Sequence, residues 1–192
     1  GGGVIIDRTG SEPRLIFSMM SASVLYEFDM AFESFSVLSS PTVPEVNDLM
    51  RWPGGSVILP ERNSMLVSLA GSQDVLEVDL ATGSQTLFST ITDEELPLQW
   101  IGFRTQMVLD QMGGRNRVLI ASRDDTLILE LDLDTQAMQS FLSADLGFDI
   151  AFGGFILPEH GEFVYLTTVS LGAVMVVDFE TNERVILSKS EG

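Results

Sequence analysis

The chain has 192 residues, of which 45% are hydrophobic and 20% charged, and this composition excludes an intrinsically disordered protein. Its 28 acidic residues outnumber its 10 basic ones, so the formal net charge is −18 at pH 7, and we expect neither nucleic acid nor anionic lipid, which are polyanions, as a partner. The chain has no cysteine and no apolar run close to the roughly 20 residues of a membrane-spanning helix, which excludes disulfides, thiolate chemistry and helical membrane insertion.

The predicted elements begin with a short apolar strand, GGVIID, at residues 2–7, and similar segments return at 54–61, 101–110 and 153–159. The second and fourth of these segments share a Gly-Gly pair followed by Ile-Leu-Pro-Glu. Self-similarity at a fixed interval is typical of repeat architectures. We call this segment strand A, and it predicts four repeats.

Each strand A is followed by three further apolar runs. These runs align without a gap over residues 15–39, 65–89, 118–142 and 164–188 when four aspartates are superposed, namely Asp29, Asp79, Asp132 and Asp178. These four aspartates, here called the turn aspartates, are 50, 53 and 46 residues apart. The runs LYEFD, LEVDL and LELDL alternate apolar and polar residues, which indicates half-buried β-strands. The repeat is therefore predicted as four antiparallel strands, A to D.

Four-stranded antiparallel units at this spacing predict an all-β fold, a β-propeller of four blades with four antiparallel strands each. One such sheet cannot bury both of its faces alone and must stack on neighbouring sheets. The predicted blades cover about residues 1–40, 52–90, 98–143 and 150–189 of a single domain, 1–192.

The turn between strands C and D adds a resemblance to known families. The segment VDLATG at 78–83, echoed as LDLDTQ at 131–136 and VDFETN at 177–182, resembles the C-to-D turn of YVTN-type and NHL-type propellers. The resemblance covers nearly the whole chain. It implies the propeller fold but no activity, because propeller families share turn chemistry without sharing function.

Acidic residues recur at two turns of every repeat, and both turns lie at the same end of a propeller blade. We interpret the turn aspartates as structural, because an aspartate accepts backbone N–H groups in a tight turn. The acids that close strand A are weak candidates for a calcium surface, because clustered carboxylates suit a hard cation, and they are Asp7, Glu61, Asp110 and Glu159. No Asp-x-Asp-x-Asp loop supports that site, and no cofactor is expected.

The connections between repeats form the opposite end of the predicted blades, where propellers usually bind ligands. Each connection has an aromatic residue just before the glycine of the next strand A, namely Trp52, Trp100 and Phe152. These aromatics are either wedges between blades or stacking platforms for a ligand. Together with the acidic segment Asp93, Glu94 and Glu95, the two tryptophans are the candidate surface for a basic protein partner.

Signals for an enzyme are weak. His160 is the only histidine, and it lies in a predicted A-to-B turn, where an exposed turn residue is the simpler interpretation than a Ser-His-Asp triad. A metal-dependent lactonase would need asparagines converging on a channel, but the asparagines at 47, 63, 116 and 182 follow no repeat-consistent pattern. We therefore expect no enzyme.

The interpretation of function follows from the four blades and their free edges. Four blades could close by themselves, form half of a larger propeller, or complete an eight-bladed ring as two copies. Copies could also contact one another repeatedly, because the outer strands at 33–39 and 182–188 offer edges to which another strand can add. We expect a non-catalytic scaffold, extracellular or at the cell surface, that acts by self-assembly into an oligomer or filament or by binding a protein. The alternative is a propeller that binds a small ligand or acts as a metal-dependent lactonase or hydrolase.

Overall fold

Four sheets of similar construction make up the fold seen in a computed structural model. The structure describes residues 3–19, 24–40, 53–69, 72, 74–90, 105–122, 127–142, 152–156, 163–168, 172–178, 181 and 183–189. In these ranges sixteen β-strands pair into four antiparallel sheets of four strands, and each sheet keeps its strands in chain order. The predicted all-β fold of four four-stranded blades is confirmed.

The first two blades use the strands up to residue 90. Blade 1 contains β1 (Val4–Asp7), β2 (Arg14–Met19), β3 (Val24–Asp29) and β4 (Ser34–Ser39). Blade 2 contains β5 (Pro53–Leu59), β6 (Ser64–Leu69), β7 (Asp74–Asp79) and β8 (Gln85–Thr90). The predicted strand A of blade 2 ran to Glu61, but the strand ends at Leu59, because Pro60 starts a 3-10 turn over Pro60–Arg62.

The last two blades follow the same plan. Blade 3 contains β9 (Thr105–Asp110), β10 (Arg117–Ser122), β11 (Leu127–Asp132) and β12 (Met138–Leu142). Blade 4 contains β13 (Phe152–Ile156), β14 (Phe163–Thr168), β15 (Ala173–Asp178) and β16 (Arg184–Lys189). The predicted strand A segments at 101–104 and 157–159 lie outside the described residues. Within the described part of the chain, no helix has the length and apolar character needed to cross a membrane.

The chain divides into two compact units, one with blades 1 and 2 and one with blades 3 and 4. In the second unit, β13 lies beside β9 and β10. The described core of that unit is fully buried at Val118, Leu119, Ile120, Met175 and Val177. The assignment of all 192 residues to one domain stays a prediction.

The same irregularity occurs in the C-to-D strand pair of every blade. The register shifts four residues before each turn aspartate, between Leu25 and Tyr26 in blade 1 and at the equivalent pairs of the other blades. A β-bulge places two residues of one strand opposite a single residue of the neighbouring strand. Here the extra residue is large and apolar in all four blades, and we call this set the bulge residues: Leu38, Phe88, Phe141 and Leu187.

Blades 1 and 2 pack face to face. Ile16 and Leu25 of blade 1, both fully buried, share one apolar cluster with blade 2, and the bulge residue Leu38 packs against that cluster. The residues that blade 2 contributes through its two central strands are Met65, Val67, Leu69, Leu76 and Val78. We call the face of blade 1 that packs against blade 2 the forward face of blade 1. The face of blade 2 that packs against blade 1 is the backward face of blade 2. Both terms are then used for the equivalent positions in every blade.

Polar contacts also join these two blades. Arg14 donates to the carbonyl of Leu80 at 2.8 Å, the Ser39 hydroxyl donates to the carbonyl of Gly83 at 2.5 Å, and the Gln85 amide donates to Ser39 Oγ at 2.8 Å. The first blade is therefore fixed to the C-to-D turn of the second by hydrogen bonds as well as by apolar burial.

Candidate functional site

The turn aspartates hold the C-to-D turns through their side chains. In blade 2, Asp79 Oδ1 accepts the backbone N–H groups of Ala81 and Thr82 and the hydroxyl of Thr82, at 2.7 to 2.9 Å. Asp132 repeats all three bonds with Asp134 and Thr135. The hydrogen bonds from Thr82 and Thr135 hold the pKa of the respective carboxyl below its usual value, because they favour the charged form.

The other two turns use the same acceptor. Asp29 Oδ1 accepts the backbone N–H groups of Ala31 and Phe32, and Asp178 Oδ1 accepts that of Thr181. The residue four positions after the aspartate has a positive φ in blades 1 to 3, at Glu33, Gly83 and Gln136. The geometry gives these four carboxylates a role in the turn.

Two of the acids at the end of strand A form buried ion pairs. Asp7 accepts from Arg14 Nε at 2.8 Å, and Asp110 accepts from Arg117 Nε at 2.9 Å, while each arginine also contacts a glutamate of strand C, Glu27 or Glu130. Both aspartates are only 1% exposed. The same Asp-Arg-Glu triad therefore recurs in blades 1 and 3.

Arginine and threonine together keep Asp7 ionised. Burial by itself raises the pKa of Asp7, but hydrogen bonds from the hydroxyl and backbone N–H of Thr9 and from Arg14 outweigh it, and the net pKa lies below the usual value. Arg14 has a raised pKa: burial alone lowers it, but the hydrogen bonds to Asp7 and Glu27 exceed that effect.

The structure does not assemble the predicted calcium candidates into one described site. Asp7 and Asp110 are buried and ion-paired, Glu61 is exposed in the 3-10 turn, and Glu159 lies outside the described residues. Among the residues whose placement is described, no group of three or more His, Asp or Glu side chains could hold a metal ion. The calcium surface stays a prediction.

The predicted partner surface also stays a prediction. Its residues Trp52, Trp100, Asp93, Glu94 and Glu95 lie outside the described residues, as does His160. Phe152 is the first residue of β13.

The most distinctive described surface is the backward face of blade 1. Cross-strand pairing places Val4, Phe17, Tyr26 and Val37 in one row and Ile6, Leu15, Phe28 and Phe35 in the next, with Met19 opposite Val24 beyond them. All ten side chains are apolar or aromatic. Phe35 packs against Phe28 and Phe17, with ring centroids 4.6 and 6.1 Å away. This face therefore carries no charge in a chain of net charge −18.

Large parts of these side chains are in contact with solvent. The exposed fraction is 68% for Phe35, 61% for Val4 and 54% for Val37, and Ile6 and Met19 are also exposed. The central positions of this face, Leu15, Phe17, Tyr26 and Phe28, are half-buried, whereas the equivalent positions of blade 2, Met65, Val67, Leu76 and Val78, are fully buried. The outer-strand position of Val37 is equally exposed in blade 2, where it is Leu87. Exposed apolar patches of this kind mark interaction sites.

A cavity of about 560 Å³ opens on the same face. It is lined by Gly3, Val4, Phe17, Ser18, Met19, Tyr26 and Phe35. Two of these residues are hydrogen-bonded to each other, because the backbone N–H of Gly3 donates to Ser18 Oγ at 2.7 Å. The cavity is the size of a small-molecule site, with an almost wholly apolar lining.

The sequence interpretation missed this surface. The available signal was the two-residue alternation of the first repeat, which places aromatic residues at 17, 26, 28 and 35 on one side of the sheet. The equivalent positions of the second repeat hold aliphatic residues. Alternation identifies the face, but it cannot show which faces remain uncovered.

The fold defines the chain as a β-propeller protein. No family model matches it, and no curated protein sequence matches it. Several solved structures, however, are similar to the chain. Virginiamycin B lyase from Staphylococcus aureus superposes with a TM-score of 0.67 at 9% identity, over 96% of this chain and 54% of that one. An auxiliary nutrient binding protein from Bacteroides ovatus gives 0.68 at 12% identity, over 95% of this chain and 46% of that one.

A third similar structure comes from outside the cell. The extracellular domain of a protein assigned as a one-component system, from Bacteroides thetaiotaomicron, superposes with a TM-score of 0.67 at 14% identity, over 99% of this chain and 24% of that one. This chain thus spans about half of the length of the lyase and of the nutrient binding protein, and less of the third. The three are respectively an enzyme, a binding protein and an extracellular domain, so identities this low show the fold and leave the activity open.

Proposed function

We propose that this propeller is a non-catalytic, extracellular scaffold that acts through protein contacts, by self-association or with a protein partner, and that the backward face of blade 1 makes those contacts. One observation carries the proposal. Val4, Ile6, Met19, Phe35 and Val37 are exposed apolar side chains on one face of blade 1, and the central positions of that face are half-buried where those of blade 2 are fully buried.

The shape and chemistry of this face suit a protein. Its side chains are arranged in cross-strand rows that extend over all four strands of blade 1, which gives a surface much wider than the cavity alone. Interfaces of protein complexes are depleted of charge at their centre and enriched in aromatic residues and methionine. Phe17, Tyr26, Phe28 and Phe35 supply that composition here.

The location of the protein is part of the proposal. One of the similar structures is an extracellular domain and another is a nutrient binding protein, and both support action outside the cell. The absence of cysteine is neutral on this point.

Site-specific photo-crosslinking tests the proposed contact. Benzoylphenylalanine replaces Phe35 in one variant and Phe32 in a matched control, because Phe32 is 81% exposed but lies in the C-to-D turn. Each variant is irradiated alone and with the proteins of its natural source, and adducts are identified by mass spectrometry. The proposal expects protein adducts from position 35 well above those from position 32. Equal or absent adducts in both samples would contradict it.

A second candidate function is the binding of a small apolar molecule, and the 560 Å³ cavity favours it. The same class includes a lactonase or hydrolase, which would bind its substrate at such a site and use a metal for the chemistry. A thermal-shift screen with calcium, lactones and sugar esters separates the two functions. A compound that raises the melting temperature of the wild type, but not of a Phe17→Ala variant, would favour the cavity.

A further inference from the structure

The packing of blades 1 and 2 shows which surface complements a backward face. The forward face of blade 1 contributes Ile16, Leu25 and the bulge residue Leu38, and these pack on the backward face of blade 2. The equivalent forward positions of blade 2 are also buried, at Leu66, Val75 and Phe88. A forward face is therefore the natural complement of an exposed backward face.

Blade 4 has such a forward face, and it is exposed. Its bulge residue Leu187 is 54% exposed, whereas the equivalent Phe88 of blade 2 is 4% exposed. Val185 is exposed as well, and it pairs with Val176 across the sheet. The side chain at this position of the repeat is therefore buried in blade 2 and exposed in blade 4.

Blade 4 also lacks the acid that the other forward faces carry. Blades 1 to 3 have a glutamate two residues before the turn aspartate, and it contacts a polar partner on strand B: Glu27 with Arg14, Glu77 with Ser64 and Glu130 with Arg117. In blade 4 this position is Val176. The described part of this forward face is consequently apolar at Val174, Val176, Val185 and Leu187, so it can meet the uncharged backward face of blade 1 without burying an unpaired charge.

We propose that the backward face of blade 1 is covered by the forward face of blade 4 from a second copy of this chain. This inference rests on the proposed function and names its partner. The contact is head to tail, because it joins two different surfaces, and each copy offers both of them. Two copies also supply about the length of chain found in the lyase and in the nutrient binding protein, of which one copy covers 54% and 46%.

A complementation experiment tests the inference. Phe35→Asp damages only the blade 1 surface, and Leu187→Asp damages only the blade 4 surface. Two controls add the same charge at exposed apolar positions outside both surfaces: Phe32→Asp in the first C-to-D turn, and Ile186→Asp, which pairs with Met175 on the opposite face of blade 4. All four sites are exposed, and circular dichroism verifies that each variant is folded. Val37→Asp replaces Phe35→Asp, and Val185→Asp replaces Leu187→Asp, if either of these variants is unfolded.

Sedimentation velocity measures the association of the 192-residue chain. We expect the wild type and both controls to associate, and Phe35→Asp and Leu187→Asp each to sediment as single chains. A mixture of these two variants should associate again, because the intact blade 1 of one meets the intact blade 4 of the other.

Three results would overturn the inference. They are a wild type that remains a single chain at every concentration, a Leu187→Asp variant that associates like the wild type, and a mixture that does not recover. None of them contradicts the proposed function if position 35 still forms adducts with another protein in the crosslinking experiment. Loss of those adducts is the separate result that contradicts the proposed function.

Discussion

At the scale of single residues, the buried Asp-Arg-Glu triads are the most consequential polar groups in the described chain. In blade 1, Arg14 holds the buried Asp7 and the strand C residue Glu27, and it also donates to the carbonyl of Leu80 in blade 2. One side chain therefore neutralises a buried carboxylate and connects two blades. Removing one partner of such a pair leaves a charge in a poorly solvated place.

We predict that Arg14→Met lowers the free energy of unfolding by about 3 kcal/mol, at the lower end for a broken buried pair because part of Arg14 is in contact with solvent. Denaturant unfolding measures the change. The double variant Asp7→Asn with Arg14→Met should lose less than the sum of the two single variants, by about 1 kcal/mol or more. Additive losses would contradict a direct interaction.

The lowered pKa of Asp7 predicts a pH dependence. Its pKa in the folded chain is below the usual value of 3.8, so the charged form stabilises the folded state above pH 3.8 and this contribution is lost as the pH falls through the folded pKa. The stability difference between the wild type and Asp7→Asn should be constant near neutral pH and shrink below about pH 3.8. Thermal unfolding across pH measures it, with Glu12→Gln as an exposed control of equal charge change. A difference that grows on acidification would contradict the assignment.

At the scale of the elements, the strands and their order could be predicted from the sequence, whereas their covered and uncovered faces could not. The alternation around the turn aspartates specifies strands because a period of two is a local property. The bulge at Leu38 and its equivalents gave no such signal, because an extra residue in a strand is defined only by its partner strand. Glu61 was misplaced at the end of a strand since Pro60 starts a turn instead.

In the candidate site, too, some features could be predicted from the sequence and others could not. The turn aspartates could be found from the sequence, because the hydrogen bonds they make lie within three residues. The pairing of Asp7 with Arg14 could not, because it joins separate strands. The exposure of Phe35 depends on which sheets stack against blade 1, and the two-residue alternation of a strand does not report how the sheets stack.

The contact between blades 1 and 2 gives a prediction at this scale. Gly83 has a φ of +70°, and a Cβ atom there would meet the carbonyl oxygen and carbon of Leu38 in blade 1. Gly83→Ala should therefore lose about 1 to 2 kcal/mol from the backbone conformation and a further amount from the clash between blades. Gly114→Ala is the matched control, because Gly114 has a φ of +80° and no neighbouring atom within 4 Å of a Cβ. Equal losses in denaturant unfolding would contradict close packing at Gly83.

At the scale of the whole molecule, charge and apolar surface oppose each other. Each chain carries a net charge of −18, so two copies repel, whereas the backward face of blade 1 and the forward face of blade 4 are apolar where they are described. Association driven by these faces must overcome the repulsion, and salt screens it over about 10 Å at 0.1 M and 3 Å at 1 M.

Self-association should therefore strengthen with salt. We expect the dissociation constant, measured by sedimentation equilibrium, to fall severalfold between about 0.05 and 0.5 M sodium chloride, because screening removes repulsion and leaves the apolar contact. Sodium sulfate should act more strongly than chloride, since it also favours apolar burial. Dissociation on adding salt would instead indicate a contact made by opposite charges.

The central claim is that a second copy of the chain covers the backward face of blade 1 in solution, and hydroxyl-radical footprinting tests it most directly. Phe35 and Phe32 are both well exposed in the single chain, at 68% and 81%, and they differ in that only Phe35 lies on this face. The account predicts that Phe35 is labelled severalfold more slowly than Phe32 when the chains are concentrated, and that the difference disappears on dilution. Equal labelling of the two phenylalanines at every concentration would contradict it.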